Sequence, residues 1–184
     1  MTLHYKRLTV ADREEYLILM QAAYAPIRAL GIHFDAASAD LQKVTQHLEH
    51  HAVYAALSDH RLAASVTVRF PWGPLPGPFG LPHIGWFGVH PDFKGQNLGA
   101  TLLGWLEQEV LLAELRAPAV SLGTAISHPW LRAMYQKLGF EAMHETDLGK
   151  GHITLYMKKV LDESLHAQWL ARRTPPPLTS TEKQ

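Results

Sequence analysis

Residues 89–100, Val-His-Pro-Asp-Phe-Lys-Gly-Gln-Asn-Leu-Gly-Ala, constrain the fold of this chain more than any other stretch. Ahead of them residues 83–89 read as a buried strand, and behind them Leu102, Leu106, Val110 and Ala113 fall on one face of a helix. A chain that passes from strand to helix through small, turn-permissive residues leaves the helix's first backbone N–H groups without acceptors. Those groups, with the positive end of the helix dipole, make a cradle for an anion such as a pyrophosphate. The cradle works only where side chains do not hold the ligand off, and Gly95 and Gly99 meet that requirement. A β-branched residue at Gly99 is expected to block the ligand and leave the core intact. Glycines at such a junction are, taken alone, more often a plain tight turn, so the rest of the sequence decides.

Strands and helices alternate around this segment. Residues 3–9 read as a first strand, and a helix begins near Asp12, whose carboxylate caps the free amides with Glu15 three positions on. Tyr16, Leu19, Met20 and Ala23 continue it at helical spacing. Pro26 and Gly31 interrupt, so residues 25–35 read as a bent linker, a wall for a substrate, before a second helix at 37–50. Strands at 52–57 and 62–70 are joined by Ser58, Asp59 and His60. Pro71, Pro74, Pro76, Pro78 and Pro82, interleaved with glycines, then force a surface loop. After a strand at 119–123, Ser127 or His128 with Pro129 opens a helix whose stripe is Trp130, Met134 and Leu138, and Gly139 ends it. Residues 140–144 and 152–158 are the last strands. The expected organisation is one domain over 1–160, a helical extension over 161–173 and a disordered tail over 174–184.

Composition removes several classes of function. Seventeen Lys and Arg balance seventeen Asp and Glu, so no bulk field holds nucleic acid or an anionic membrane. The absence of cysteine excludes disulfides, thiolate metal sites and a cysteine nucleophile. Charges within the first fifteen residues break any signal-peptide core, and no run reaches ~18 apolar residues, so a cytoplasmic protein is expected. His47, His50, His51 and His90 lack a supporting cluster and read as solvated or capping side chains rather than metal ligands. Trp105 and Trp130 read as core packing.

Val89, Pro91, Phe93, Lys94 and Gly99 follow the pattern Val-x-Pro-x-aromatic-[Arg or Gln]-x-x-Gly-x-[Gly or Ala], with Lys94 in place of Arg or Gln and Asn97 in place of the usual Gly. The run Tyr135-Gln136-Lys137-Leu138-Gly139-Phe140 matches a second pattern, Tyr-x-Lys-x-Gly-Phe, at the end of the next helix. In these motifs, and in its order of elements over about residues 3–158, the chain resembles the GNAT superfamily of N-acetyltransferases. The resemblance implies a single α/β (α+β) domain with a mixed, mostly antiparallel sheet that splays between its fourth and fifth strands and is flanked by helices. It further implies acetyl-CoA as co-substrate, its pantetheine arm paired with the backbone of Phe87, Gly88 and Val89. Its pyrophosphate would lie against Lys94, Gly95, Gln96, Asn97, Leu98, Gly99 and Ala100, with His128 where many relatives carry an Asn that touches the cofactor. Asn97 suits this place because Asn tolerates left-handed backbone.

Tyr135 then falls near the sulfur and is expected to protonate the leaving thiolate, since a phenol of pKa ~10 keeps its proton at neutral pH. Read alone, it is a buried helix-end aromatic. His83, six residues before Val89, stands where some members carry a glutamate base. An imidazole of pKa ~6.5 there would shape the acid limb of the rate profile, and the plain alternative is a residue that begins a strand. The expected activity is transfer of an acetyl group to a primary amine of a small molecule or peptide, by direct attack in a ternary complex without metal. The acceptor would lie between residues 25–35 and 144–152, with Tyr24, Ile27, Ile32 and Phe34 for apolar contact. A homodimer is left open, and the rival readings are a noncatalytic acyl-CoA sensor and a transferase for longer acyl chains.

Overall fold

The computed structural model describes residues 2–173. The first turn is set by Thr9, whose backbone N–H and hydroxyl both donate to the Asp12 carboxylate, at 2.8 and 3.2 Å. Strand β1 (Leu3–Arg7) therefore passes through one 3-10 turn into helix α1 (Arg13–Ala29). The capping pair is Thr9 with Asp12 rather than Asp12 with Glu15, because the carboxylate reaches back to amides ahead of it. Pro26 lies inside α1 and does not end it. Buried Tyr24 and the Ile27 side chain pack on one core from either side of the proline, which outweighs the hydrogen bond it removes. The linker thus starts later than the sequence suggests, and α2 (Leu41–His50) begins where the Lys43 N–H donates to Asp40 Oδ1 at 2.7 Å.

The remaining elements are β2 (Ala52–Ser58), β3 (Arg61–Arg69), β4 (His83–Val89), α3 (Leu98–Trp105), β5 (Ala119–Ala125), α4 (Leu131–Lys137), β6 (Glu141–Asp147), β7 (Ile153–Val160) and α5 (Glu163–Arg173). Helix α3 continues as a π-helical stretch over Leu106–Glu114. One seven-stranded sheet runs in the order β1-β2-β3-β4-β5-β7-β6, and every neighbouring pair is antiparallel except β4 with β5. Alternation along β2 sends Tyr54 and Ala56 to one face and Val53 and Ala55 to the other. The first face is covered by Leu98, Leu102, Leu103 and Leu106, and the second by Tyr16, Leu19 and Met20 of α1 with Val44 and Leu48 of α2. The expected tail, 174–184, lies outside the described residues. Among the described residues no helix is long and apolar enough to cross a membrane.

Two departures from regular pairing shape the molecule. The parallel pair β4–β5 holds for only two residue pairs, His83 with Ser121 and Ile84 with Leu122, after which the strands part. Gly123, although in a strand interior to the sheet, is consequently exposed. In β4, Thr67 of β3 faces Gly85 while Ser65 faces Gly88, so Val66 opposes both Trp86 and Phe87 in a β-bulge. Trp86 accordingly takes φ +42°, a conformation that a bulky residue holds only when its surroundings enforce it.

The start of α3 sits hard against β4. A Cβ on Gly99 would lie 3.0 Å from Phe87 Cζ and 3.3 Å from Val89 Cγ2. The expectation that Gly99 can be replaced without touching the packing therefore fails, because its missing side chain serves helix–strand contact. We predict that Gly99→Val lowers stability by ~1–3 kcal/mol, read as a lower urea midpoint. An unchanged midpoint would show that the helix shifts to make room.

Candidate active site

One cavity of about 1000 Å³ runs from the start of α3, past the splay, to the gap between α1–α2 and the β6–β7 turn. At the α3 end, Gly95 (φ +78°) and Asn97 (φ +56°) both take left-handed backbone, as the sequence suggested for Asn97. Among the described residues, no acceptor meets the backbone N–H groups of residues 95–100. Lys94, Gly95, Asn97, Gly99 and Ala100 line the cavity here, whereas the Leu98 side chain is buried in the core and offers only its amide. Gln96 is exposed and stands off the cavity wall. An opening ringed by five unsatisfied backbone donors and a cation suits a pyrophosphate.

The middle of the cavity is the splay itself. Beyond Ile84 the edge of β4 that faces β5 has no strand partner, so Phe87, Gly88 and Val89 border an open slot. An extended arm bearing amides can pair with such an edge as an added strand does. Tyr24 donates its hydroxyl to the Phe87 carbonyl at 3.1 Å and so anchors α1 to the slot. Gly88 makes that approach possible, since a Cβ there would fall 2.9 Å from the Ala23 Cβ. On the opposite wall, His128 is buried with neither ring nitrogen hydrogen-bonded, and its pKa is lowered by burial. A buried imidazole with two idle nitrogens on a cavity wall has hydrogen-bonding capacity to offer a ligand. Trp130 meets His128 edge-on at 4.7 Å but is 55% exposed, so it belongs to the rim and not to the core as expected. Trp105 does pack, stacked on Tyr5 at 4.6 Å.

Tyr135 is buried between Phe87 and Phe140, and burial pushes its pKa above the ordinary phenol value, so it stays protonated. Its hydroxyl has no hydrogen-bond partner among the described residues. His83 occupies the apex of the splay, buried, with Nδ1 2.9 Å from Ser121 Oγ. Ser121 Oγ also lies 3.4 Å from the Pro82 carbonyl, so the hydroxyl bridges the strand end and the ring. The pair has the spacing of a nucleophile and its base, but Ser121 is fully buried off the cavity wall and so attacks nothing. Burial, with the Arg69 charge, lowers the His83 pKa to about 3. The limb near pH 6.5 expected of it is thereby removed, because this imidazole is neutral throughout the physiological range.

The far end of the cavity brings together side chains that the sequence named only apart, His47, His51 and Phe34, with others that it did not single out, Trp86 and Arg69. Trp86 stacks on His47 at 3.8 Å, and His47 Nε2 lies 2.8 Å from Thr67 Oγ1, which together hold the bulge. His47 is driven to a pKa of about 3 and His51 to about 4, in both cases first by burial and then by neighbouring charges that include Arg69. Phe34 of the linker meets His152 edge-on at 5.4 Å, and Lys150 pairs with Asp35 at 3.3 Å. The two segments expected to flank an acceptor thus clasp over one cavity. Three cations, Lys43, Arg69 and Lys150, stand at this end against the single carboxylate of Asp35. Arg69 and Trp86 were hidden from the sequence because their positions depend on strand register and on the bulge. Among the described residues no group of three His, Cys, Asp or Glu side chains could hold a metal ion.

Comparison with known proteins agrees with this geometry. Residues 18–140 match the family described as the acetyltransferase (GNAT) family. The S-(2-succino)cysteine N-acetyltransferase of Bacillus subtilis (strain 168) is 49% identical over 161 residues, covering 88% of this chain and 98% of its own. The S-alkylcysteine N-acetyltransferase of the same organism is 40% identical over 158 residues, covering 85% and 88%. Among solved structures, the PaiA N-acetyltransferase of Thermoplasma acidophilum in complex with coenzyme A superposes with a TM-score of 0.66 at 17% identity, covering 87% of this chain and 99% of that one.

The buried histidines impose a pH dependence on stability. Unfolded histidines protonate near pH ~6.5, whereas His47, His51 and His83 do so only at about 3 to 4 in the fold. Between those values the unfolded chain binds more protons, so stability falls as pH falls. The melting temperature is expected to drop from pH 7 to pH 5, and to drop less in His83→Gln. A melting temperature flat over that range would show that these rings titrate normally.

Proposed function

The chain belongs to the acetyltransferase (GNAT) family, and we propose that it acetylates the α-amino group of an S-substituted cysteine such as S-(2-succino)cysteine. The observation that carries this reading is one continuous cavity, which joins a donor-lined cradle to a cationic end with room for a second substrate. Acetyl-CoA, when bound, supplies an acetyl group activated as a thioester. The two relatives that act on S-substituted cysteines support the choice of acceptor.

Within this reading, residues 95–100 with Lys94 hold the pyrophosphate, and Phe87, Gly88 and Val89 guide the arm down the splay. His128 lies on the wall beside it. The bulge at Trp86 leaves a β4 backbone amide outside the regular ladder, which suits it to polarise the thioester carbonyl. Tyr135 donates the proton that the departing sulfur needs. The acceptor must arrive as a free amine. No carboxylate but Asp35 lines the cavity, and Asp35 is already tied to Lys150, so the chain offers no strong base. The cations at that end do the equivalent work by disfavouring the ammonium form. The proton lost passes to water, since His83, neutral down to about pH 3, is too weak a base to hold it. Direct transfer fits a chain without cysteine whose Ser121–His83 pair is sealed away.

The test is release of free thiol from acetyl-CoA in the presence of S-(2-succino)cysteine and simpler S-alkylcysteines, with longer acyl-CoA donors alongside. We expect acetyl transfer to the α-amine, and a Tyr135→Phe variant that binds acetyl-CoA normally but turns over about 10²-fold more slowly. No thiol release with any S-substituted cysteine, while acetyl-CoA still raises the melting temperature, would refute the acceptor assignment.

A further inference from the structure

Arg69 ends β3 inside the cavity, half-buried, next to His83 across the β3–β4 pair. Among the described residues it has no hydrogen-bond or ion-pair partner. Arg28 and Arg61 are committed differently: Arg28 donates to the Ala37 and Gln21 carbonyls at 3.1 Å, and Arg61 pairs with Asp92 at 2.9 Å. The nearest acid on the cavity wall, Asp35, is bound to Lys150. A guanidinium taken partly out of water with its fork of donors unfilled is a costly arrangement, and a planar anion relieves it. Its field reaches His47, His51 and His83 and adds to the burial that holds them neutral.

We propose that the Arg69 guanidinium binds the α-carboxylate of the acceptor and thereby sets the adjacent α-amine against the thioester. The inference rests on the acceptor reading above and extends it, since it makes the amino-acid backbone, and not the S-substituent, the part recognised at the apex of the splay. An α-carboxylate lies two bonds from its amine, and the Arg69 Cα is registered with His83, where the slot between β4 and β5 closes. Carboxylate anchored there brings the amine to the end of the slot. Lys43 and Lys150 also line this end, but Lys43 is held by Ser38 and Lys150 by Asp35.

The experiment compares wild type, Arg69→Gln and Arg69→Lys on S-substituted cysteines, on other amino acids and on the α-carboxamide of each, by thiol release. Wild type should favour the acid over its amide by about 10- to 100-fold in kcat/KM, the size of a charged hydrogen-bond pair. Arg69→Gln should lose that factor on the acid relative to the amide, any loss through the amine's protonation being shared by both, with its acetyl-CoA melting shift intact. Arg69→Lys should fall between, keeping the charge without the fork. Retention of the wild-type acid-to-amide ratio in Arg69→Gln, or absence of any such preference in wild type, overturns the proposal. If S-substituted cysteines fail but other amino acids show an Arg69-dependent acid preference, the acceptor reading falls and this inference stands. If wild type accepts only amines without a carboxylate, both fall.

Discussion

The parallel pairing of β4 with β5, two residue pairs long, is the constraint on which the rest depends. Parallel strands normally continue as a ladder, and ending one early leaves backbone groups that must find other partners. Here the join is reinforced at its apex, where Ser121 N–H donates to the Pro82 carbonyl at 2.9 Å and Ser121 Oγ meets His83 Nδ1. Past that point the strands separate and the chain makes a slot in the middle of its own sheet. The bulge at Trp86, the glycine at 88 that admits α1 and the glycine at 99 that admits α3 are all arranged along one side of that slot.

Electrostatics in the cavity follows from the same opening. Burial along the cavity keeps His47, His51 and His83 uncharged, while Arg69 stays cationic. The surviving charges are cations at both ends, which suits a phosphate-bearing donor at one and a carboxylate-bearing acceptor at the other. A neutral sequence overall conceals this, since the balance of seventeen against seventeen says nothing of where the charges are placed.

The strand, loop and helix around residues 89–100 were legible in the sequence because the signal is local: apolar period, punctuation, then apolar period again. The order of strands and the splay came with the family resemblance and not with any pattern of spacing. What sequence reading missed depends on register or on tertiary override. Pro26 stays helical because a core packs on both sides of it, and Trp130 is exposed because the helix starts one residue beyond it. Arg69 reads as one polar position in an alternating strand, and only the pairing with His83 turns it toward the site. His83 was visible as a residue, but its low basicity reflects burial and a neighbour fourteen positions away, Arg69.

The central claim is that one cavity holds donor and acceptor together, so that the acetyl group passes without a covalent enzyme intermediate. Initial rates measured while acetyl-CoA and an S-substituted cysteine are varied together test it most directly. The account predicts double-reciprocal lines that intersect, as a ternary complex requires. Parallel lines, with an acetylated enzyme trapped in the absence of acceptor, would contradict it.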